Sequence, residues 1–248
     1  MPNIKKTAKN ELFKPIIKVI YDNNPMCGDL QTDWGFSCLI ELDNLKILFD
    51  TGDNGKTLLE NMEKLNIDPK SINIIFLSHF HHDHTGGLKD FLEINPNVKI
   101  FYPQSFQHEL TDIIKKSGAM PFPVLDFLEI LTNVYSLGQM GNNILEQSLA
   151  IRSNKGMIII TGCAHPGIVT ILEKAKSIFP NDLIYLVLGG FHLHRSNEKE
   201  ISNVIQKILQ MKILMTAPTH CTGNTARKMF QVVFKDNYIE LGTGKIIE

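Results

Sequence analysis

Short runs rich in β-branched and aromatic residues, separated by turn formers, predict strands over 16–21, 36–42 and 45–49. The period then changes: Leu58, Leu59, Met62 and Leu65 recur at helical spacing and predict a helix over 55–65. Residues 72–77 form an unbroken apolar run, the pattern of a strand buried on both faces. A helix over 87–94, a strand over 98–102 and a helix over 106–116 follow. Pro121, Pro123, Gly138 and Gly141 punctuate 117–143, which reads as loop. Beyond it come strands over 145–152 and 156–160, a helix over 167–179 and a strand over 183–188. The chain closes with a helix over 198–210, a strand over 213–216, a helix over 225–234, and strands near Tyr238 and Ile246. No repeat, low-complexity tract or linker interrupts the pattern, so residues 1–248 read as a single domain. Two blocks of strands, each followed by helices, predict an α/β (α+β) fold of two packed sheets with helices outside.

Composition narrows the class. With 248 residues, 43% hydrophobic and 21% charged, the chain is long and apolar enough to bury a core, which excludes disordered and collagen-like classes. A net charge of −1 argues against a nucleic-acid partner, since phosphate binding needs a basic excess. The one basic cluster, Lys5, Lys6 and Lys9, reads as a solvated chain end. No apolar run approaches membrane-spanning length, and the first twenty residues lack a signal-peptide core, so no membrane partner is expected. Four cysteines without a C-x-x-C pair fit a reduced, cytoplasmic protein, with Cys27 and Cys38 as packing residues.

The chemistry lies at strand ends. His79-Phe80-His81-His82-Asp83-His84 follows the 72–77 run directly and precedes Gly86-Gly87. Alternate residues leaving a strand share a face, so His79 and His81 can converge on one ion. Asp83 and His84 follow after the chain turns into the next helix, where they can face a second ion. A close pair of divalent ions suits hydrolysis. His165, His192 and His220 each follow a predicted strand and are further candidate ligands. Cys163 and Cys221 flank two of them. A thiolate is a good zinc ligand, but both are read as small hydrophobes packed beneath the site.

These motifs resemble the metallo-β-lactamase superfamily, which implies a four-layer αββα sandwich with metals at one edge between the sheets. Asp50-Thr51-Gly52 is similar to its early D-T-G turn, which implies that Asp50 orients ligands through hydrogen bonds. Thr161-Gly162-Cys163-Ala164-His165-Pro166-Gly167, Gly189-Gly190-Phe191-His192-Leu193, Pro218-Thr219-His220-Cys221-Thr222-Gly223 and Glu146-Gln147-Ser148-Leu149 resemble one subfamily. Its members are named 7,8-dihydropterin-6-methyl-4-(ribofuranosyl)-aminobenzene-5′-phosphate synthases. The resemblance implies one metal on His79, His81 and His165 and a second on Asp83, His84 and His220. The superfamily's bridging carboxylate is missing. The only aspartate in the interval, Asp182, starts a strand at the wrong edge, and His192 stands at the expected strand end. His192 is left with three roles: ligand, substrate contact or proton donor.

The resemblance implies a hydrolase with two divalent ions, zinc, manganese or iron, in which a metal-bound hydroxide attacks and Asp83 positions it. A small phosphorylated molecule, a phosphoester or cyclic phosphodiester, is the expected substrate. Thr222, Gly223, Asn224 and Thr225 either cradle its phosphate at a helix start or only cap that helix. A lactone or thioester substrate on the same site, and a non-catalytic metal-binding sensor, are the alternatives. The redox flavodiiron branch of the fold is disfavoured, because it carries glutamate where this chain has His81.

Overall fold

The computed structural model describes residues 12–248; Lys5, Lys6 and Lys9 lie outside the described residues. The first sheet is built from β1 (Ile16–Asp22), β2 (Phe36–Leu42), β3 (Leu45–Phe49), β4 (Ile74–Phe76), β5 (Lys99–Pro103) and β6 (Met120–Val124). β13 (Ile246–Ile247) completes it in the order β13-β1-β2-β3-β4-β5-β6. The second sheet contains β7 (Leu128–Leu131), β8 (Val134–Met140), β9 (Glu146–Ser153), β10 (Gly156–Thr161), β11 (Ile184–Gly190) and β12 (Met215–Thr219), in the order β12-β11-β10-β9-β8-β7.

An apolar layer including Val19, Ile40, Phe49, Phe76, Leu149, Ile160 and Leu188 fills the space between the sheets. Helices α1 (Gly55–Lys64), α3 (Leu88–Ile94) and α4 (Gln107–Ser117) accompany the first sheet; Leu58, Met62 and Phe91 share an apolar cluster with its outward residues Leu39, Leu48 and Ile75. Helices α5 (Ile168–Ile178), α6 (Glu198–Gln210) and α7 (Asn224–Phe234) cover the second, with Ile171, Ile205 and Phe230 packed against Ile159 and Val187. Two large sheets flanked by helices give the expected sandwich. The helices begin where the side chains require it. Asn54 caps α1 through Thr57 N, and Asn197 and Glu200 form a reciprocal capping box on α6.

The segment 117–143 is a correction. It holds three strands, β6, β7 and β8, and the prolines that suggested loop lie in β6. β6 is the outer strand of its sheet, where missing proline N–H groups cost no ladder bonds on the open side. The strand expected over 213–216 runs later, as β12 (Met215–Thr219), and near Tyr238 only an isolated bridge to Thr216 forms. Among the described residues, no helix is long and apolar enough to cross a membrane.

Two parallel sets, β3-β4-β5-β6 and β10-β11-β12, set the position of the chemistry. Residues just beyond the carboxyl ends of parallel strands are free of the ladder and converge on one edge. Gln147, at the start of β9, ties the sheets together there: its N–H donates to Ser78 O (2.9 Å) and its Nε2 to Leu77 O (2.8 Å).

Candidate metal centre

Every candidate ligand leaves one of these strand ends. β3 delivers Asp50, β4 delivers Ser78 and His79, β10 leads into Gly162–His165, β11 into His192, and β12 into His220. His82–Thr85 forms a single helical turn, α2, which carries Asp83 and His84 inward. Two close approaches fix this turn. Thr51 N donates to His84 O (2.8 Å), and a Cβ at Gly86 would overlap the Asp53 carbonyl. Gly162 is required in the same way, because a Cβ there would overlap Ser78 Oγ.

Six imidazoles follow one another across the edge. Ring centroids are 4.7 Å apart for His79–His81, 4.2 Å for His79–His84 and 4.6 Å for His79–His165. His84–His220 are at 5.0 Å and His165–His192 at 4.5 Å. Four of these rings are held at Nδ1: His79 by Ser78 Oγ (2.9 Å), His84 by Asp50 Oδ2 (2.6 Å), His165 by Glu146 Oε2 (2.9 Å) and His220 by Asn23 Oδ1 (2.9 Å). Anchoring one ring nitrogen fixes ring orientation and leaves Nε2 as the free donor. Asp50 also accepts from Ser78 N and Ser78 Oγ, both at 2.7 Å, so it aims two ligand loops at once.

Glu146 is the residue that sequence reading missed as a site member. Fully buried, it accepts from the N–H groups of Cys163 (3.0 Å), Ala164 (2.8 Å) and His165 (2.9 Å), besides His165 Nδ1. The available signal was the Glu146-Gln147-Ser148-Leu149 segment, whose resemblance to the subfamily gave Glu146 no role. Asn23 was equally hidden, since its partner His220 is 197 positions away. Backbone strain gathers here too: Asp50, Ala164, His192 and His220 have φ of 53°, 60°, 53° and 48°. Such left-handed conformations in non-glycine residues persist where the surroundings over-determine them.

Donor atoms cluster in overlapping sets whose members lie within 4.8 Å of one another: His79, His81 and Asp83; Asp83, His84, Cys163 and His220; His79, Cys163 and His165; and Cys163, His192 and Cys221. His79 Nε2 is buried with no hydrogen-bond partner, and His220 Nε2 lies 3.2 Å from Asp83 Oδ2 without a hydrogen bond between them. Buried imidazole nitrogens without a partner, one of them beside a carboxylate, fit a divalent cation of the borderline class.

Charge is distributed to match. Burial, then the neighbouring imidazole of His84, holds His79 well below the ordinary histidine range, so it is a neutral donor. Burial also lowers His81, reinforced by His165. Burial would raise Asp83, but His220 and His84 outweigh it and keep it ionised. For His84, burial opposes protonation, yet Asp50, followed by Asp83 and Glu146, pushes its pKa up to about 9. Burial would also raise Glu146, but His79 and His165 hold it well below the usual carboxylate range.

The remaining expected residues divide. His192 is exposed, and its hydrogen bond to Cys221 raises its pKa. His82 points outward, 3.9 Å from Asp53. Asp182 pairs with Arg152 at 2.7 Å, away from the donors. Thr222 is buried, donating to Thr219 O (2.6 Å) and accepting from Phe191 N (3.0 Å), so its hydroxyl is already used. Gly223 (φ 80°), Asn224 and Thr225 line a small cleft with His194 at the start of α7, which has no side-chain cap. Cys38 joins the core between the sheets as expected, but Cys27 is exposed rather than packed, and Cys163 Sγ lies 3.2 Å from His84 Nε2, among the donors rather than in apolar packing. Trp34, the only tryptophan, covers His220 at 4.9 Å between centroids.

An αββα sandwich with an H-x-H-x-D-H loop and strand-end histidines defines a metal-dependent hydrolase family, and the chain belongs to the metallo-beta-lactamase superfamily, whose domain matches residues 35–220. It is 33% identical, over 86% of this chain and 89% of the relative, to the 7,8-dihydropterin-6-methyl-4-(beta-D-ribofuranosyl)-aminobenzene-5′-phosphate synthase of Methanocaldococcus jannaschii. An uncharacterized protein of the same organism is 29% identical over 94% of this chain and 99% of its own length. Among solved structures, a metal-dependent hydrolase of the beta-lactamase superfamily superposes with a TM-score of 0.80 at 26% identity, covering 94% of this chain and 98% of the other.

Proposed function

We propose that the protein is a dinuclear metallohydrolase acting on a small phosphorylated molecule, a phosphoester or cyclic phosphodiester. The observation that carries this reading is the approach of the His79, His81 and His165 rings, with centroids 4.7, 4.6 and 4.8 Å apart, beside the donor set of Asp83, His84 and His220, with four of the rings locked at Nδ1. In this reading the first three hold one ion, the second three hold another, and zinc, manganese and iron(II) all suit imidazole plus carboxylate. Bound there, the ions would supply Lewis acidity and make water a nucleophile near neutral pH.

The chain's own groups complete the chemistry. Asp83 stays ionised between His84 and His220, and accepts a hydrogen bond that orients the attacking water. His192, at the exposed rim beside His165, donates a proton to the leaving oxygen; its hydrogen bond with Cys221 raises its pKa, which favours the protonated form. Backbone N–H groups of Gly223, Asn224 and Thr225 at the uncapped start of α7 receive a substrate phosphate. The relative named for a ribofuranosyl 5′-phosphate product supports a phosphorylated substrate. Its name describes a synthase, so the test must not presume one substrate. Metal-free protein reconstituted with Zn²⁺, Mn²⁺ or Fe²⁺ is assayed against linear and cyclic phosphodiesters, phosphomonoesters, lactones and thioesters. Turnover of a phosphoester is expected. Turnover confined to carbonyl substrates would replace the substrate class, and no turnover with any metal would remove the hydrolase reading in favour of a metal-binding sensor.

A further inference from the structure

The carboxylate expected to bridge the two ions is missing at its usual strand end in this chain: β11 runs into exposed His192. Five neutral imidazoles and the Asp83 carboxylate would offset only one of the four charges of two divalent ions at the donor atoms, with Asp50 and Glu146 acting from behind the rings. Another side chain fills that position. Cys163 belongs to the donor set of Asp83, His84 and His220 and also to the set of His79 and His165, each within 4.8 Å. Cys163 is the residue these two sets have in common, as Asp83 is common to the first of them and the set of His79 and His81.

Its surroundings point the same way. Cys163 is 3% exposed, its Sγ approaches His84 Nε2 at 3.2 Å, and it is absent from the apolar clusters among the described residues. His79, from the first set, is fully buried with Nε2 unpartnered, a donor with nothing to bind. The backbone is arranged to hold the thiol there. Glu146 Oε1 accepts from Cys163 N at 3.0 Å, and Ala164 follows in a left-handed conformation that turns the chain back towards the donors.

We propose that the Cys163 thiolate is the anionic donor between the two metal positions, in place of the missing carboxylate; this rests on the dinuclear reading above. To serve as that donor the Cys163 thiol would give up its proton to solvent, leaving the sulfur lone pairs free for the ions.

The test is X-ray absorption on wild-type protein loaded with two equivalents of Zn²⁺, paired with electronic spectra of the Co²⁺-loaded protein. A sulfur scatterer at about 2.3 Å is expected, at roughly one per zinc because both ions share it. A thiolate-to-Co²⁺ charge-transfer band should appear in wild type and in Cys221→Ala, and vanish in Cys163→Ser while the visible ligand-field bands remain. Zinc seen only by nitrogen and oxygen, about half a sulfur per zinc, or a band lost in Cys221→Ala overturns the proposal but leaves the dinuclear reading standing. Failure of the wild type to bind Co²⁺ or Zn²⁺ overturns both. The zinc measurement needs no variant, so misfolding of Cys163→Ser does not blunt the test.

Discussion

Replacing Glu146 with glutamine probes the buried anchor beneath His165. Oε1 accepts from Cys163 N and Ala164 N, and Oε2 accepts from His165 N and Nδ1. Glutamine keeps one acceptor oxygen and presents an NH₂ group to the other two donors, so two charge-assisted bonds are lost. At about 1.5–3 kcal/mol each the loss is about 3–6 kcal/mol, and a change of His165 tautomer, which lets Nδ1 accept from the amide, should recover part, leaving about 3 kcal/mol. For a chain of 248 residues that is a fall in Tm of roughly 6–12 °C, read by calorimetry on metal-free protein. The pH dependence has a definite sign. The native Glu146 carboxyl is held below its ordinary value of 4.5, so its stabilisation is present above that value and fades as pH falls. The gap between wild type and E146Q should therefore close in acid. Zinc affinity should also drop by roughly 10–100-fold, because His165 loses its orienting partner. A Tm within about 2 °C of wild type, with unchanged zinc affinity at neutral pH, would refute the reasoning.

Asp50→Asn removes the carboxylate that holds His84 and Ser78, and should weaken zinc binding by roughly 10–100-fold in a chelator competition while the fold persists. In metal-free wild type His84 is protonated up to pH about 9, which stabilises the fold fully below the ordinary histidine value of 6.5 and progressively less as pH rises through 9. Metal must displace that proton, so apparent affinity should rise by about tenfold per pH unit from this group between pH 7 and 9, and calorimetry in buffers of different ionisation enthalpy should record its release. His192→Ala should keep its zinc and lose about 10²–10⁴-fold in turnover, as for a positioned acid; zinc lost instead would make His192 a ligand.

The histidine cluster was legible because its chemistry is local. His79, His81, Asp83 and His84 sit within one turn of chain between an apolar strand and Gly86, so spacing alone conveys convergence. The strand-end rule extended this to His165 and His220. Residues that act across the fold carried no such signal: Asn23 reaches His220, and Glu146 gathers N–H groups 17 to 19 positions away. Cys163 flanks His165 and was weighed as a thiolate ligand but read as a packing residue, and only the fold shows its sulfur among imidazoles. β6 and β7 were hidden because they are sheet edges, where proline is tolerated and alternation is weak, and the interior strand β8 was hidden by Gly138, which sits at an irregularity in its pairing with β9.

The central claim is that two sets of donors, His79, His81 and His165 on one side and Asp83, His84 and His220 on the other, each hold an ion. Equilibrium dialysis of metal-free protein against Zn²⁺, followed by elemental analysis, tests it most directly. About two zinc ions per chain are expected for wild type, falling to about one for His220→Ala with the first site intact. Wild type that retains no zinc, or His220→Ala that retains the full complement, would contradict it.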